Sequence, residues 1–308
     1  MNRSGKHKKI DCLGLGIIPL DFLVQVAYYP PAGGKIDASA LSIMGGGPIP
    51  NALTGLSRMG LSTALIVALG DDLVGKLLVE EIKKEKIDPR YIIIKKGQRS
   101  DSAYGFVEEG SGRRTIALYR TIKINPRDLK LSHLPQPRLI HLDGRDLDVC
   151  IKLARWGRKI GAFISFDIGS IRNDVSPIFP LVDHLIVSDA YAFGFTGQKN
   201  ARTAIKKLKE HCPGTVVVTE GIKGSVALEN DRWYHQKAYR VKNIDTTGAG
   251  DAFHAGYLYG LIKGFEIAAR LRYGAATAAL KCTRLGARNL PTLREVNRFL
   301  KSRPRTYA

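Results

Sequence analysis

Residues 245–251 read Asp-Thr-Thr-Gly-Ala-Gly-Asp, and the stretch that follows, AFHAGYLYGLIKG, has the apolar spacing of a helix. Gly248, Ala249 and Gly250 strip bulk from the backbone where that helix begins, so their N–H groups can converge on one point at the positive end of the helix dipole. That is a site for an anion. Asp251 brings a carboxylate to the same spot, the wrong charge for a residue that only holds a phosphate. A carboxylate beside an anion hole suits phosphoryl transfer: it takes a proton from an attacking hydroxyl while the hole steadies the charge on the group in transit. The plainer alternative is a glycine-rich turn with Asp251 as a helix N-cap.

Other residues offer complementary chemistry. Met44-Gly45-Gly46-Gly47-Pro48-Ile49-Pro50-Asn51 sets three glycines before a second helix with Asn51 in its first turn, which permits close backbone approach to a ligand and adds a polar side chain. A tight strand-to-helix turn with a capping Asn is the alternative. Asp21 is expected at the end of the first strand, where ligands collect in open α/β sheets, and its carboxylate would accept hydrogen bonds from vicinal sugar hydroxyls; the alternative is a surface Asp. Lys35, and Arg145 in HLDGR (141–145), mark a substrate bearing phosphate, sulfonate or carboxylate if both face one pocket, and are otherwise solvated charges. His141 and His254 read as structural, since nothing pairs either with a nucleophile. Two glycine motifs fail. Gly14-Leu15-Gly16 begins a dinucleotide fingerprint, but its third glycine position is Pro19. GDDLVGK (70–76) imitates a phosphate loop, yet Leu77 replaces the hydroxyl residue, and Asp71 and Asp72 stand where backbone must cradle phosphate.

Alternating elements must position these groups. Apolar runs at 61–69, 138–142, 162–167, 184–188 and 215–219 have the composition of strands buried on both faces. Amphipathic stretches at 73–87, 147–160 and 201–211 lie between them, and helical patterns at 251–263, 265–282 and 292–301 close the chain, the last with a Thr292/Glu295 capping box. The alternation predicts an α/β fold, a doubly wound, mostly parallel sheet flanked by helices. Segments of about 22–44 and 101–120 break it with β-rich sequence and turns at Pro30-Pro31, Gly33-Gly34 and Gly110-Ser111-Gly112. They predict a small sheet projecting from a single domain that spans 1–308, with SAYGFVEE and RRTIALYR as a hairpin.

The 308 residues, 44% hydrophobic, suffice for one large core, and no apolar run reaches membrane-spanning length. The N-terminus reads as a basic tail leading into a strand, because Asp11, Pro19 and Asp21 interrupt any signal-like apolar region. Four cysteines (Cys12, Cys150, Cys212 and Cys282) lie far apart, which argues against a disulfide framework or a metal-site spacing and for a cytoplasmic location. A formal net charge of +20 raises the question of nucleic acid, but the basic residues are dispersed, with only short clusters at Lys6–Lys9, Lys206–Lys209 and Lys301–Arg305. No specific nucleic-acid partner is expected; attraction of an anionic nucleotide or sugar is the simpler use of the charge.

The heptapeptide at 245–251, the triple-glycine segment with Asn51, Gly70-Asp71-Asp72 with Gly75, and Thr219-Glu220-Gly221 with Gly224 together resemble the signatures of the ribokinase-like (PfkB-type) carbohydrate kinases. The resemblance runs over nearly the whole chain. It implies that Asp251 is the catalytic base, that Gly248, Ala249 and Gly250 form the anion hole, and that Asp21, Gly45, Gly46 and Asn51 face the sugar. It further implies that Thr219, Gly221 and Gly224 line the nucleotide, with Ala275 and Ala278 flanking adenine. ATP, Mg²⁺ and a monovalent cation such as K⁺ are the implied cofactors, with Asp245 as ligand to the monovalent cation or to Mg²⁺ through water. The projecting sheet is similar to the family's lid, which implies a homodimer. Two motifs depart from the pattern. Ser188-Asp189-Ala190-Tyr191 stands where Asn-x-x-Glu is expected, so Asp189 or water would complete the magnesium shell; Asp167, Gly169 and Arg172 only approximate Asp-x-Asn-x-x-Arg. Both departures resemble the ketohexokinase-like and sulfofructose-kinase-like branches, and GGK (33–35), GGGP (45–48) and ALKCTRLGAR (279–288) resemble the latter. The reading is an ATP-dependent sugar kinase acting on a ketose or related sugar, including one with an anionic group. The alternatives are a nucleoside kinase of the same family, with Tyr28, Tyr104 or Phe106 stacking on the base, and a kinase-fold sugar sensor without catalysis.

Overall fold

The computed structural model describes residues 9–111, 113–171 and 173–303; Gly112 of the predicted turn, Arg172, and the outer ends of the two terminal basic clusters lie outside them. In chain order the elements are β1 (Lys9–Leu15), β2 (Leu20–Val26), β3 (Ala40–Gly45), α1 (Pro48–Arg58), β4 (Thr63–Gly70), α2 (Leu73–Lys84), β5 (Ile92–Lys95), β6 (Ser102–Glu108), β7 (Arg114–Tyr119), β8 (Gln136–Leu142) and α3 (Leu147–Lys159). There follow β9 (Phe163–Ile168), β10 (His184–Ser188), α4 (Asp189–Thr196), α5 (Ala201–Lys209), β11 (Thr215–Thr219), β12 (Ser225–Glu229), β13 (Arg232–Gln236), α6 (Ala249–Ile262), α7 (Ile267–Cys282) and α8 (Leu293–Lys301).

Nine strands form the main sheet in the order β13-β12-β11-β10-β9-β8-β1-β4-β5, parallel from β11 to β5 with β12 and β13 added antiparallel at one edge. Its strands are nearly all apolar because both faces are covered. Successive residues feed opposite cores: Leu13 and Leu15 of β1 join the layer under α3, α4 and α5, while Cys12 joins the layer under α1, α2, α6, α7 and α8. The chain leaves β1 toward β4 on one side, and β8 comes to lie on the other. The sheet therefore reverses its winding between β1 and β8, and the crevice at their carboxyl ends is where such a fold binds ligands. All four cysteines are free thiols, and among the described residues no helix is long and apolar enough to cross a membrane.

The second sheet has the order β3-β2-β6-β7 and is mixed: β2 runs antiparallel to β3 and parallel to β6, and β6–β7 is the expected hairpin. Asp21 belongs to this sheet, not to the end of the first strand. β1 stops at Leu15, and the chain passes Pro19, which has no N–H for a ladder, before it restarts as β2 at Leu20. The GDD segment is a structural tie. Asp72 caps α2 through the N–H of Gly75 at 2.9 Å and also accepts from the N–H and Oγ of Ser100 at 3.0 and 2.6 Å, which fixes the chain just before β6.

Candidate active site

A cleft of about 670 Å³ opens at the switch point, floored by the ends of β1, β8 and β9 and roofed by the inner face of the small sheet. Gly248, Gly250 and Asp251 line it. Helix α6 begins after Gly248, whose φ of 77° is left-handed, and no side chain caps it. Asp251 stands in the first turn and is not the N-cap; its half-buried carboxylate accepts a 2.7 Å hydrogen bond from Nδ2 of Asn51, 200 residues away in the chain. Two of the three residues expected to form an anion hole line the cleft. The Ala249 N–H closes a turn onto the Thr246 carbonyl at 3.1 Å, and Ala249 does not line the cleft, which leaves Gly248 and Gly250 to face it.

The triple glycine is a clearance device. A side chain at Gly45 would meet the Arg288 guanidinium at 2.5 Å, one at Gly46 the Asp21 carboxylate at 2.2 Å, and one at Gly47 the Ile17 carbonyl at 2.1 Å; only Gly47, at φ 90°, also needs glycine for its backbone angle. Gly45 and Gly46 thus shape the site from behind, and Gly47 lines it. Buried Arg288, which sequence reasoning did not single out, holds this end together. It donates to Asn51 Oδ1 at 3.2 Å, to the Gly46 carbonyl at 3.3 Å, and to Glu81 at 2.7 Å.

Carboxylates crowd the cleft. Burial pushes Asp251 up to about 6 and nearby Asp167 adds to the rise, against the Asn51 hydrogen bond, His254 and Arg114. Burial pushes Asp21 up to about 7 despite Arg288, and Asp143 up to about 6 despite the N–H groups of Arg145 and Ile17 on its carboxylate. His254 has a partner that the sequence does not show: its Nε2 lies 3.2 Å from Asp167 Oδ1, and it lines the cleft one helical turn beyond Asp251. The ring of buried His141 lies tilted against it, centroids 5.1 Å apart, and its pKa is lowered to about 3 by burial and by His254.

The cations divide differently from expectation. Arg145 lines the cleft beside Asp143, whereas Lys35 is exposed on the loop between β2 and β3 and does not. Arg114 and Arg120 of the small-sheet region line it instead. Arg120 is committed to Asp146 at 2.6 Å, but among the described residues no ion pair engages Arg114. Of the residues expected to line the nucleotide, Thr219 and Gly221 line the cleft; Gly224, at φ 109°, serves the turn into β12, with its carbonyl accepting from Glu220 N–H at 2.8 Å. Ala275 and Ala278 do not line the cleft: they lie on α7, with Ala275 buried and Ala278 packed against the core under α6 and α7.

Magnesium takes one or two carboxylates together with phosphate oxygens and water. Asp189 lines the cleft with a carboxylate of that kind, whereas Tyr191, in the position of the expected Glu, is buried and stacked on Phe195. Asp245 is otherwise engaged. It is buried, and its two carboxylate oxygens accept from the N–H groups of Thr247 and Gly286, both at 2.8 Å.

Residues 7–293 match the family profile described as pfkB family carbohydrate kinase. The chain is 23% identical to a 5-dehydro-2-deoxygluconokinase of Geobacillus thermodenitrificans over 96% of its own length and 94% of that protein. It is 26% identical to a ribokinase of Haemophilus influenzae, covering 93% and 97%. Among solved structures, the ribokinase of Thermotoga maritima superposes with a TM-score of 0.82 at 23% identity, over 95% of this chain and 100% of that one.

Proposed function

The chain belongs to the pfkB family of carbohydrate kinases, an ATP-dependent phosphotransferase with a sugar as acceptor, and we propose that Asp251 is its general base and that its acceptor is a ketose or related sugar bearing an anionic group. Asp251 draws the proton from the acceptor hydroxyl, whose oxygen attacks the γ-phosphorus in line. Asn51 holds the carboxylate in place and favours its ionised form. The Gly248 and Gly250 amides, at the positive end of α6, take up charge on the phosphoryl group. Asp189 would hold Mg²⁺ entering with the nucleotide, and the ion would supply neutralisation of phosphate charge. Thr219 and Gly221 line the nucleotide side, Asp21 and Asn51 the sugar side, and closure of the small sheet excludes water.

The observation that carries the substrate class is the pair of arginines at the acceptor end, Arg145 on the floor and Arg114 on the roof. Guanidinium groups suit carboxylate, sulfonate and phosphate. The name of the Geobacillus relative denotes a gluconate, a sugar acid, which supports the same class. The test is ADP release across neutral ketoses, sugar acids, sulfosugars, sugar phosphates and nucleosides, followed by variants on the best acceptor. Arg114→Ala and Arg145→Ala are each expected to lower kcat/KM for the anionic acceptor by roughly 10–10², the worth of a hydrogen bond to a charged group, while Lys35→Ala leaves it unchanged. A neutral sugar or a nucleoside as best acceptor, with KM indifferent to both arginines, refutes the anionic class and leaves the kinase assignment standing. The reading also places the protein in the cytoplasm as a homodimer through the small sheet.

A further inference from the structure

Lys281 is a cation with no access to water: its side chain is 0% exposed, in the last turn of α7. An ammonium wholly removed from water persists only where oxygen acceptors and a counter-charge surround it. Its Nζ donates to the carbonyls of Asp245 at 2.7 Å and Arg284 at 3.3 Å and lies 3.4 Å from Asp245 Oδ2. The same corner is tied further by the N–H groups of Ile244 and Asp245, which donate to the Cys282 carbonyl at 2.8 and 3.2 Å. The C-terminal end of α7, where carbonyls point outward without helical partners, adds negative potential at this place. The oxygens of Asp245 that would serve a monovalent cation are therefore already shared among Lys281, Thr247 N–H and Gly286 N–H. K⁺ does not fit this donor set as it stands.

We propose that the Lys281 ammonium is the resident cation of the 245–251 loop, so that phosphoryl transfer by this protein needs no monovalent ion. The charge sits behind Asp245, three residues before Gly248, and the segment it anchors continues through Gly286 on the Asp245 carboxylate and Ala287 against Gly248 to Arg288 on Asn51. One cation thus fixes the loop whose amides face the phosphoryl group, and it does so without the entropy of capturing a free ion because it is covalently tethered. Lys281 is a positioning residue; it does not line the cleft.

The proposal rests on the kinase reading, so its test carries one readout that needs turnover and one that does not. In choline chloride and KCl of equal ionic strength, turnover of the unaltered protein is expected to differ by less than about twofold, and its melting temperature not at all. Lys281→Met, which keeps the length and removes the charge, is expected to lose roughly 10–10²-fold in choline, less than the roughly 10²–10³ of a deleted oxyanion donor because Lys281 acts through the loop. Lys281→Ala leaves space for an ion, so K⁺ or NH₄⁺ is expected to raise its melting temperature saturably and to restore part of its turnover. A saturable, potassium-specific rise in turnover or melting temperature of the unaltered protein overturns the proposal. So does a folded Lys281→Met protein with full turnover in choline, or a Lys281→Ala protein whose melting and turnover both ignore K⁺ and NH₄⁺. If no sugar is phosphorylated at all, the kinase reading fails, and the melting measurements still decide the fate of the ammonium.

Discussion

At the scale of single residues, the proposed chemistry depends on a carboxylate held in an unfavourable place. Asp251 must be ionised to accept a proton, and burial together with Asp167 has raised it to about 6. The expected profile of kcat at saturating acceptor therefore rises with pH through about 6, since the base is lost as pH falls through its pKa. Asp251→Asn should reduce turnover by roughly 10²–10⁴ with the melting temperature nearly unchanged, measured by ADP release and calorimetry. Near-normal activity in that folded variant removes Asp251 from the role of base. Asn51 gives a sharper check. Its 2.7 Å hydrogen bond lowers the Asp251 pKa, so Asn51→Ala should move the acidic limb to higher pH as well as lowering the plateau. An acidic limb that stays in place would show that the bond does not favour the ionised form.

At the scale of elements, the tight turn between β3 and α1 joins the two sheets, and its glycines have unequal tasks. Gly47→Ala meets both a φ of 90° and the Ile17 carbonyl, so it is expected to cost about 1–3 kcal/mol, read as a lower urea midpoint. Gly33→Ala, at φ 75° with open space around it, incurs only the backbone cost and should shift the midpoint less. Equal effects would mean that contact with Ile17 is not what demands glycine at 47. Elements of this kind were readable in advance wherever one period of apolar residues decided the matter. The strands at 184–188 and 215–219 and the capping box of α8 lie where the pattern put them, because burial on both faces or a local cap leaves no competing solution. Asp21 was misplaced because a continuous apolar stretch hides the break at Pro19, which separates two strands of different sheets. Arg114, Asp143 and Arg288 were missed for another reason. Each reaches the site through contacts or strand pairing distant in sequence, as in the 237 residues between Arg288 and Asn51, and no local spacing encodes that meeting. The tail ALKCTRLGAR enters the sequence reading only as a likeness, yet it carries Lys281, Ala287 and Arg288, which brace the 245–251 loop and Asn51 together.

At the scale of the whole molecule, the small sheet has two faces with opposite demands. Its inner face carries Asp21, Ala103, Arg114 and Ile116 into the cleft. Its outer face exposes Leu41, Ile43 and Tyr104 by 61%, 51% and 54%, and register places Phe22 opposite both Ile43 and Tyr104, with its ring stacked on Tyr104 at 5.2 Å. A contiguous apolar face of this kind marks an interface, and a second copy of the chain is the proposed occupant. A two-fold interface sets the same patch against itself, so Ile43→Asp with Tyr104→Asp would enter it twice and should yield a monomer by light scattering. Because that face backs the strand that positions Arg114, the monomer should also show a higher KM for the acceptor with KM for ATP little changed. A double variant that stays dimeric places the interface elsewhere, and an unaltered chain that is monomeric throughout removes it. The charge of the molecule supplies the sign of a further effect. Two copies of net charge +20 repel one another, while the apolar contact between them is not weakened by salt, so added NaCl should tighten the dimer. A dimer that dissociates as salt rises would instead be held by ion pairs, and the outer face of the sheet would not be what joins it.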